Sequence, residues 1–174
     1  MGLDITAIII LNRTKDATSF PKFEVLNEFD ANCFKTVDFE SYDLNYPSNE
    51  LKKVYISYLN SISDSKIDEE EVDVRTISLA DIENLILRTH KKIKEAKTKK
   101  SVEVIIASNS PSKEIAEDAI ENINLYDSMI SELKRGLNVL KKFRSFLTFY
   151  ENIVDRKSDS YFGLKIHCLL DYSY

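Results

Sequence analysis

The longest regular pattern in the chain runs from Pro111 to Lys157. Ile123, Tyr126, Ile130, Leu133, Leu137, Leu140, Leu147 and Val154 recur every third or fourth position, the spacing of one helix face. Ser110 and Pro111 read as its start, a hydroxyl at the N-cap followed by proline at the first helical position. Glu114, Glu117 and Asp118 sit at the positive end of the dipole, and Arg156 and Lys157 at the negative end. One helix of this length would span roughly 70 Å, whereas a compact domain of this size is about 40 Å across. The stretch therefore either protrudes and pairs with a partner, or it breaks. Lys134-Arg135-Gly136 is the candidate break or bend, with Asn138 able to cap a second helix. The second half is the more apolar, with Val139, Phe143, Phe146, Phe149, Tyr150 and Ile153 added to the stripe. It reads as a central core helix, or as a homodimer face along 123–154. Lys141, Lys142, Arg144, Glu151 and Asp155 interrupt every window long enough to cross a membrane, so no membrane association is expected.

The remaining segments read as strands and shorter helices. Leu3–Leu11 is nearly continuous in apolar residues, as a central strand covered on both faces would be. Phe20–Phe29 and Cys33–Phe39 alternate and read as a hairpin around Asp30-Ala31-Asn32. Ser48 caps a helix whose inner face holds Leu51, Val54, Tyr55, Tyr58, Leu59 and Ile62. Val72–Ile77 is a short strand. Ser78 with Asp81 resembles a capping box, opening a helix to about Lys97 that buries Leu79, Ile82, Ile86, Ile93 and Ala96. Val102, Val104, Ile105 and Ile106 then read as a strand over 101–107, giving a strand–helix–strand unit with a right-handed crossover. Tyr161–Tyr172 closes the chain as a strand, with Leu164, Ile166, Cys168 and Leu170 on one side. The expected architecture is one α/β (α+β) domain over 1–174, a mixed sheet of five or six strands packed on helices around the long stretch 111–157.

Composition narrows the function classes. The chain has 174 residues and a net charge of −5. Residues 1–75 carry 8 basic and 15 acidic side chains, a balance of −7, and residues 76–174 carry 16 and 14, a balance of +2. An acidic whole argues against general nucleic-acid binding and suits a partner with a basic surface. Only three glycines are present, none near another, so phosphate loops and dinucleotide fingerprints are absent. No zinc-type cysteine spacing and no nucleophile elbow occurs, and no metal or cofactor is expected. Two cysteines, Cys33 and Cys168, and no signal peptide point to a reduced cytoplasmic setting.

Few residues carry candidate chemistry. His167 and Cys168 are neighbours on a strand and point to opposite faces, so they cannot pair with each other. Cys168 with His90 stays open; the simpler reading is a buried structural cysteine and a partly buried histidine flanking its helix stripe. The acidic run Asp64–Asp73 lacks the spacing and turn glycine of a calcium loop and reads as a solvated loop. Arg88, Lys91, Lys92, Lys94 and Lys97, with Lys99 and Lys100 beyond, form a basic helix end. That run either complements the helix dipole or meets phosphate or nucleic acid. Tyr42, Asp43, Tyr46, Tyr172 and Tyr174 form two Tyr-rich acidic segments, and Tyr is enriched at protein interfaces.

The opening Met1-Gly2-Leu3-Asp4-Ile5-Thr6 resembles the start of small proteins of phages and mobile elements. The resemblance covers only these residues, and it implies an origin and an action on another protein. Taken together, the expectation is a small acidic non-enzymatic protein that binds and modulates another protein, as an inhibitor, immunity protein or phage-encoded antagonist does. The alternative is a nucleotide or nucleic-acid binding module using 88–100, and the third reading is an enzyme using carboxylate chemistry.

Overall fold

The computed structural model describes residues 4–13, 22–32, 44–70, 72–157 and 164–173. In chain order they form β1 (Asp4–Arg13), β2 (Phe23–Asp30), α1 (Asn49–Ile62), β3 (Asp73–Thr76), α2 (Leu79–Asn109), α3 (Lys113–Lys157) and β4 (Leu164–Ser173). The strands make one four-stranded sheet in the order β2-β1-β4-β3, and every neighbouring pair is antiparallel. The fold is α+β. The expected mixed sheet of five or six strands is corrected to this antiparallel one among the described residues. The strand read at Cys33–Phe39 lies outside them.

β1 is central, as its unbroken apolar run requires. Ile5, Ala7 and Ile9 point to the face covered by α2 and α3, while Ile8 and Ile10 point to the face covered by α1. A bulge opposite Ile9 and Ile10 leaves Leu26 without a partner on β1. Phe23 and Val25 pack with α1 and Leu26 on the α2–α3 side by ordinary alternation; the bulge then shifts the phase, so that Glu28, three residues after Val25, also lies on the α1 side and accepts from the Tyr58 hydroxyl. On β4, Cys168, Leu170 and Tyr172 face α2 and α3, and Leu169 faces α1. Ser48 caps α1 through the backbone N–H of Leu51. Tyr55 reaches from α1 onto the sheet and donates its hydroxyl to Asp171 at 2.7 Å. Ile62, expected on the inner face of α1, is exposed, and Ile56 is buried there instead.

The Ser78–Asp81 capping box is present, each side chain bonded to the other residue's backbone N–H. The helix it opens does not stop at Lys97 but runs 31 residues to Asn109. Val102, Val104, Ile105 and Ile106 are therefore helical, and the expected strand over 101–107 and its crossover are corrected. A short β-branched run cannot be told from a helix segment by periodicity, and no Gly or Pro stands between Ser78 and Asn109 to stop a cooperative helix. Ser110 closes α2 through its backbone N–H to the Ile106 carbonyl, and Pro111 lies in the turn. The first intrahelical acceptor of α3 is the carbonyl of Ser112, two residues later than expected.

α3 is a single helix of 45 residues, unbroken at Gly136. An interior Gly costs about 1 kcal/mol relative to Ala. Leu133, Leu137 and Leu140 around it are all buried, and each contributes about 1.5–3 kcal/mol by burial. Continuing the helix wins. Gly136 is itself buried. The long stretch does protrude, and α2 of the same chain lies along it. The two helices, joined by a three-residue turn, form an antiparallel hairpin.

The seam between them has a clear phase. On α2 it takes Ile82, Ile86, Thr89, Ile93, Ala96, Lys100, Glu103 and Ala107; on α3 it takes Ala116, Ala119, Ile123, Tyr126, Ile130 and Leu133. All are buried or half-buried, at alternating steps of three and four, the 3.5-residue period of a two-helix seam. The base of the hairpin also packs on the sheet, through Leu85 of α2 and Phe143 and Leu147 of α3. Beyond Ala96 on α2 and before Ile130 on α3, the only buried residue is Ala119.

Candidate functional site

The outer part of the hairpin is the feature the core does not explain. Its seam holds Lys100, Glu103 and Ala107 against Ala116, Ala119 and Ile123, and its large apolar members, Ile123 and Tyr126, are only half-buried. Other large apolar residues lie outside it. Val102, Val104, Ile105 and Ile106 of α2, and Ile115, Ile120, Leu125 and Met129 of α3, are all exposed, Leu125 by 64%. Of these, Val102, Ile105 and Ile106 share one side of α2, a candidate interaction surface. The arms are tied by Lys100, whose ammonium donates to both carboxylate oxygens of Asp127 at 2.6 Å. The apolar stripe expected to line a homodimer along 123–154 is instead spent on α2 and the sheet.

Charge is segregated along the hairpin. Residues 88–100 carry seven basic side chains and one acidic, and residues 134–144 carry five basic and no acidic. Residues 101–127 carry six acidic and one basic. The base is thus basic and the tip acidic. The basic residues read as one patch are spread around α2. Arg88 and Lys92 fall on the flank facing the sheet, and Lys91 faces outward beside Glu95 at 3.9 Å. Lys94 and Lys97 fall on the opposite flank, the side on which the phase of the seam also sets Lys134 and Lys141 of α3.

The Tyr-rich patch is only partly assembled. Tyr42, Asp43 and Tyr174 lie outside the described residues. Tyr172 is buried in the sheet, and burial raises its phenol pKa. Tyr46 is 73% exposed. The segment carrying it is held at the edge of β3, where the Asn45 carbonyl accepts from both the backbone and the side chain of Thr76. Its ring lies against the Arg75 guanidinium at 3.4 Å. Arg75 is 7% exposed and pairs with Asp73 at 3.0 Å, while its Nε and Nη1 and the Tyr172 hydroxyl have no hydrogen-bond partner. This edge joins Tyr46 to Tyr172 through Arg75, with one tyrosine as surface and the other as core.

The residues with catalytic potential do not converge. Cys168 is buried in the core, and desolvation raises its thiol pKa, the reverse of an activated cysteine. His90 is exposed on α2, not half-buried. His167 faces the other side of the sheet, with Nε2 3.4 Å from Asn12 Nδ2. Burial, then the charge of Lys165, lowers its pKa. A cleft of about 370 Å³ at the start of α2 is lined by Asn45, Ser78, Asp81, Glu151, His167 and Cys168 among others. The Asp81 carboxylate there is occupied by the capping box. Among the described residues no cluster of His, Cys, Asp and Glu could hold a metal ion, and no helix is long and apolar enough to cross a membrane. Asp73 leaves the acidic run to pair with Arg75.

No protein-family model, curated protein or solved structure matches this chain. The candidate surface therefore rests on geometry. The tip of the hairpin is the site that residue-by-residue reading missed. The available signal was phase: counted on from Ile82 in steps of four and three, Val102, Ile105 and Ile106 fall off the seam.

Proposed function

We propose that the chain is a non-enzymatic binding protein that engages another protein through the tip of the α2–α3 hairpin. The observation that carries this reading is the exposed aliphatic surface of Val102, Ile105 and Ile106 on α2, with Ile115 beside Ile106 across the turn. No residue of the sheet core depends on that surface. The acidic side chains around it, Glu103, Glu114 and Glu117, suit a partner with basic residues around an apolar groove, and such charge complementarity chiefly raises the association rate. An inhibitor, immunity or antagonist role is the kind of binding this surface would serve. The buried Cys168 and the dispersed histidines support a role without catalysis.

The test is retention of a partner from the source cell by the wild type and by Val102→Glu with Ile105→Glu. Both positions are exposed, so the variant should fold with an unchanged helical spectrum. A partner held by the wild type and lost by the variant supports the reading. A partner held equally by both, or a catalytic activity that the variant retains, overturns it.

A second reading is favoured by one observation. Lys94 and Lys97 share a flank with Lys134 and Lys141, which would make a basic strip suited to phosphates. Binding of a DNA or RNA duplex at low salt that falls steeply with salt, and is lost in Lys94→Glu with Lys134→Glu, would establish it. No binding at low salt removes it.

A further inference from the structure

α3 has an outer face that touches neither α2 nor the sheet, and its chemistry reverses along its length. Before the midpoint it holds Asp118 and Leu125, and after it Arg135, Lys142 and Phe146. These five residues fall at multiples of the three- and four-residue step, so they share one side of the helix. All five are exposed. Near the midpoint stand Ser128 and Ser131, small enough to allow a close approach. At the far end Lys141, Lys142, Ser145, Phe146 and Phe149 line an open groove of about 540 Å³, with Phe149 58% exposed. The groove is apolar at its floor and cationic at its rim.

We infer that this face docks against the same face of a second copy, with the two α3 helices antiparallel about a two-fold axis near Ser128–Glu132. A two-fold contact requires a self-complementary surface, and a face that is acidic and aliphatic at one end and basic and aromatic at the other is self-complementary only in antiparallel order. In the register that centres the two helices on Ile130, Asp118 of each copy stands opposite Lys142 of the other. Leu125 packs on the stem of Arg135. Each contact occurs twice. A parallel arrangement would set Asp118 beside Asp118 and Lys142 beside Lys142. The α2 side of each tip, with Val102 and Ile105, stays open in this dimer, so the inference does not rest on the partner-binding reading and fails separately from it.

The experiment is the mass of the intact chain in solution, by light scattering behind gel filtration, with helicity checked by circular dichroism. At roughly 100 µM, where mass action favours dimer, the wild type should give about twice its 20.1 kDa, and the dimer should weaken with salt. Asp118→Lys and Lys142→Asp should each weaken the dimer about tenfold or more, since both copies then meet like charge. Mixing the two single variants, or combining both changes in one chain, should restore it. A monomeric wild type at that concentration overturns the inference, as does a dimer that both reversals leave unchanged. A mixture that stays monomeric also overturns it. Leu125→Ala, which removes no core contact, should weaken the dimer and leave helicity, and thermal stability at dilutions where the chain is monomeric, as they were; an unchanged dimer counts against the assigned register.

Discussion

Gly136 separates two accounts of α3 by the sign of a measured effect. If the glycine were a solvent-facing helix residue, replacing it by Ala would stabilise the protein by about 1 kcal/mol, and Leu would do almost as well. In this structure Gly136 is buried, on the flank that faces the sheet, one turn from Leu133 and Leu140 and two turns from Phe143. A methyl group there enters filled space, and overpacking costs about 1–3 kcal/mol. Gly136→Ala should therefore range from nearly neutral to about 2 kcal/mol destabilised, the packing cost less the propensity gain. Gly136→Leu inserts four carbons and should lose more than 3 kcal/mol by extension of the same packing cost. Ser128→Ala at an exposed helical position is the control, and should gain a few tenths of a kcal/mol. Urea unfolding followed by circular dichroism reads all three. If Ala and Leu at 136 both stabilise by about as much as helix propensity allows, the packing of Gly136 against the sheet is refuted and the position faces solvent.

Further outcomes follow from single contacts. Tyr55→Phe removes the hydroxyl that donates to Asp171, and a hydrogen bond to a charged group is worth about 1.5–3 kcal/mol. Burial raises the Asp171 pKa above its ordinary 3.8, and the Tyr55 bond opposes that rise. The raised pKa means that the fold gains stability as pH falls through it, and the variant, with a still higher pKa, gains more. Its deficit should thus be largest near neutral pH and shrink in acid; a pH-independent deficit in urea titrations would count against the assignment. Arg75→Met replaces a buried guanidinium that leaves two nitrogens unpartnered, and should be neutral or stabilising by about 1 kcal/mol; a loss above about 3 kcal/mol would show that Asp73 and Tyr46 depend on the charge. Leu133→Ala in the seam should cost about 2–5 kcal/mol, whereas Leu125→Ala on the same helix should stay within about 0.5 kcal/mol; similar losses would mean the tip is packed.

Much of the fold was legible in the chain because burial imposes period. The unbroken run at Ile8–Ile10 marked β1 as central, and Ser48, Ser78 and Asp81 marked two helix starts through backbone donors that need acceptors. The alternation at Ile166, Cys168 and Leu170 gave the facing of β4. What failed did so for definite reasons. Val102–Ile106 has β-branched composition, but intrinsic β preference is weak beside a helix already propagating from Ser78. Gly136 carries the composition of a helix end, yet the four apolar residues around it gain more by continuing. Sheet order depends on contacts between Thr6 and Asp171, or Val74 and Asp171, which no local pattern encodes. Tyr172 leaves the Tyr patch because it alternates inward with Leu170 and Cys168, a parity already visible in the sequence, while Tyr46 stays at the surface. The tip surface was missed because apolar residues were read as core wherever they occurred, without asking whether they kept the phase of the seam.

The central claim is that the α2 side of the hairpin tip is where a partner sits. A photo-crosslinking amino acid placed at Ile105, compared with one at Ile62 on α1, tests it most directly, because both positions are exposed by 60% and lie on different elements. The account predicts one discrete crosslinked protein species from position 105 in the source cell, and none from position 62. Crosslinks from position 62 with none from position 105 would contradict it.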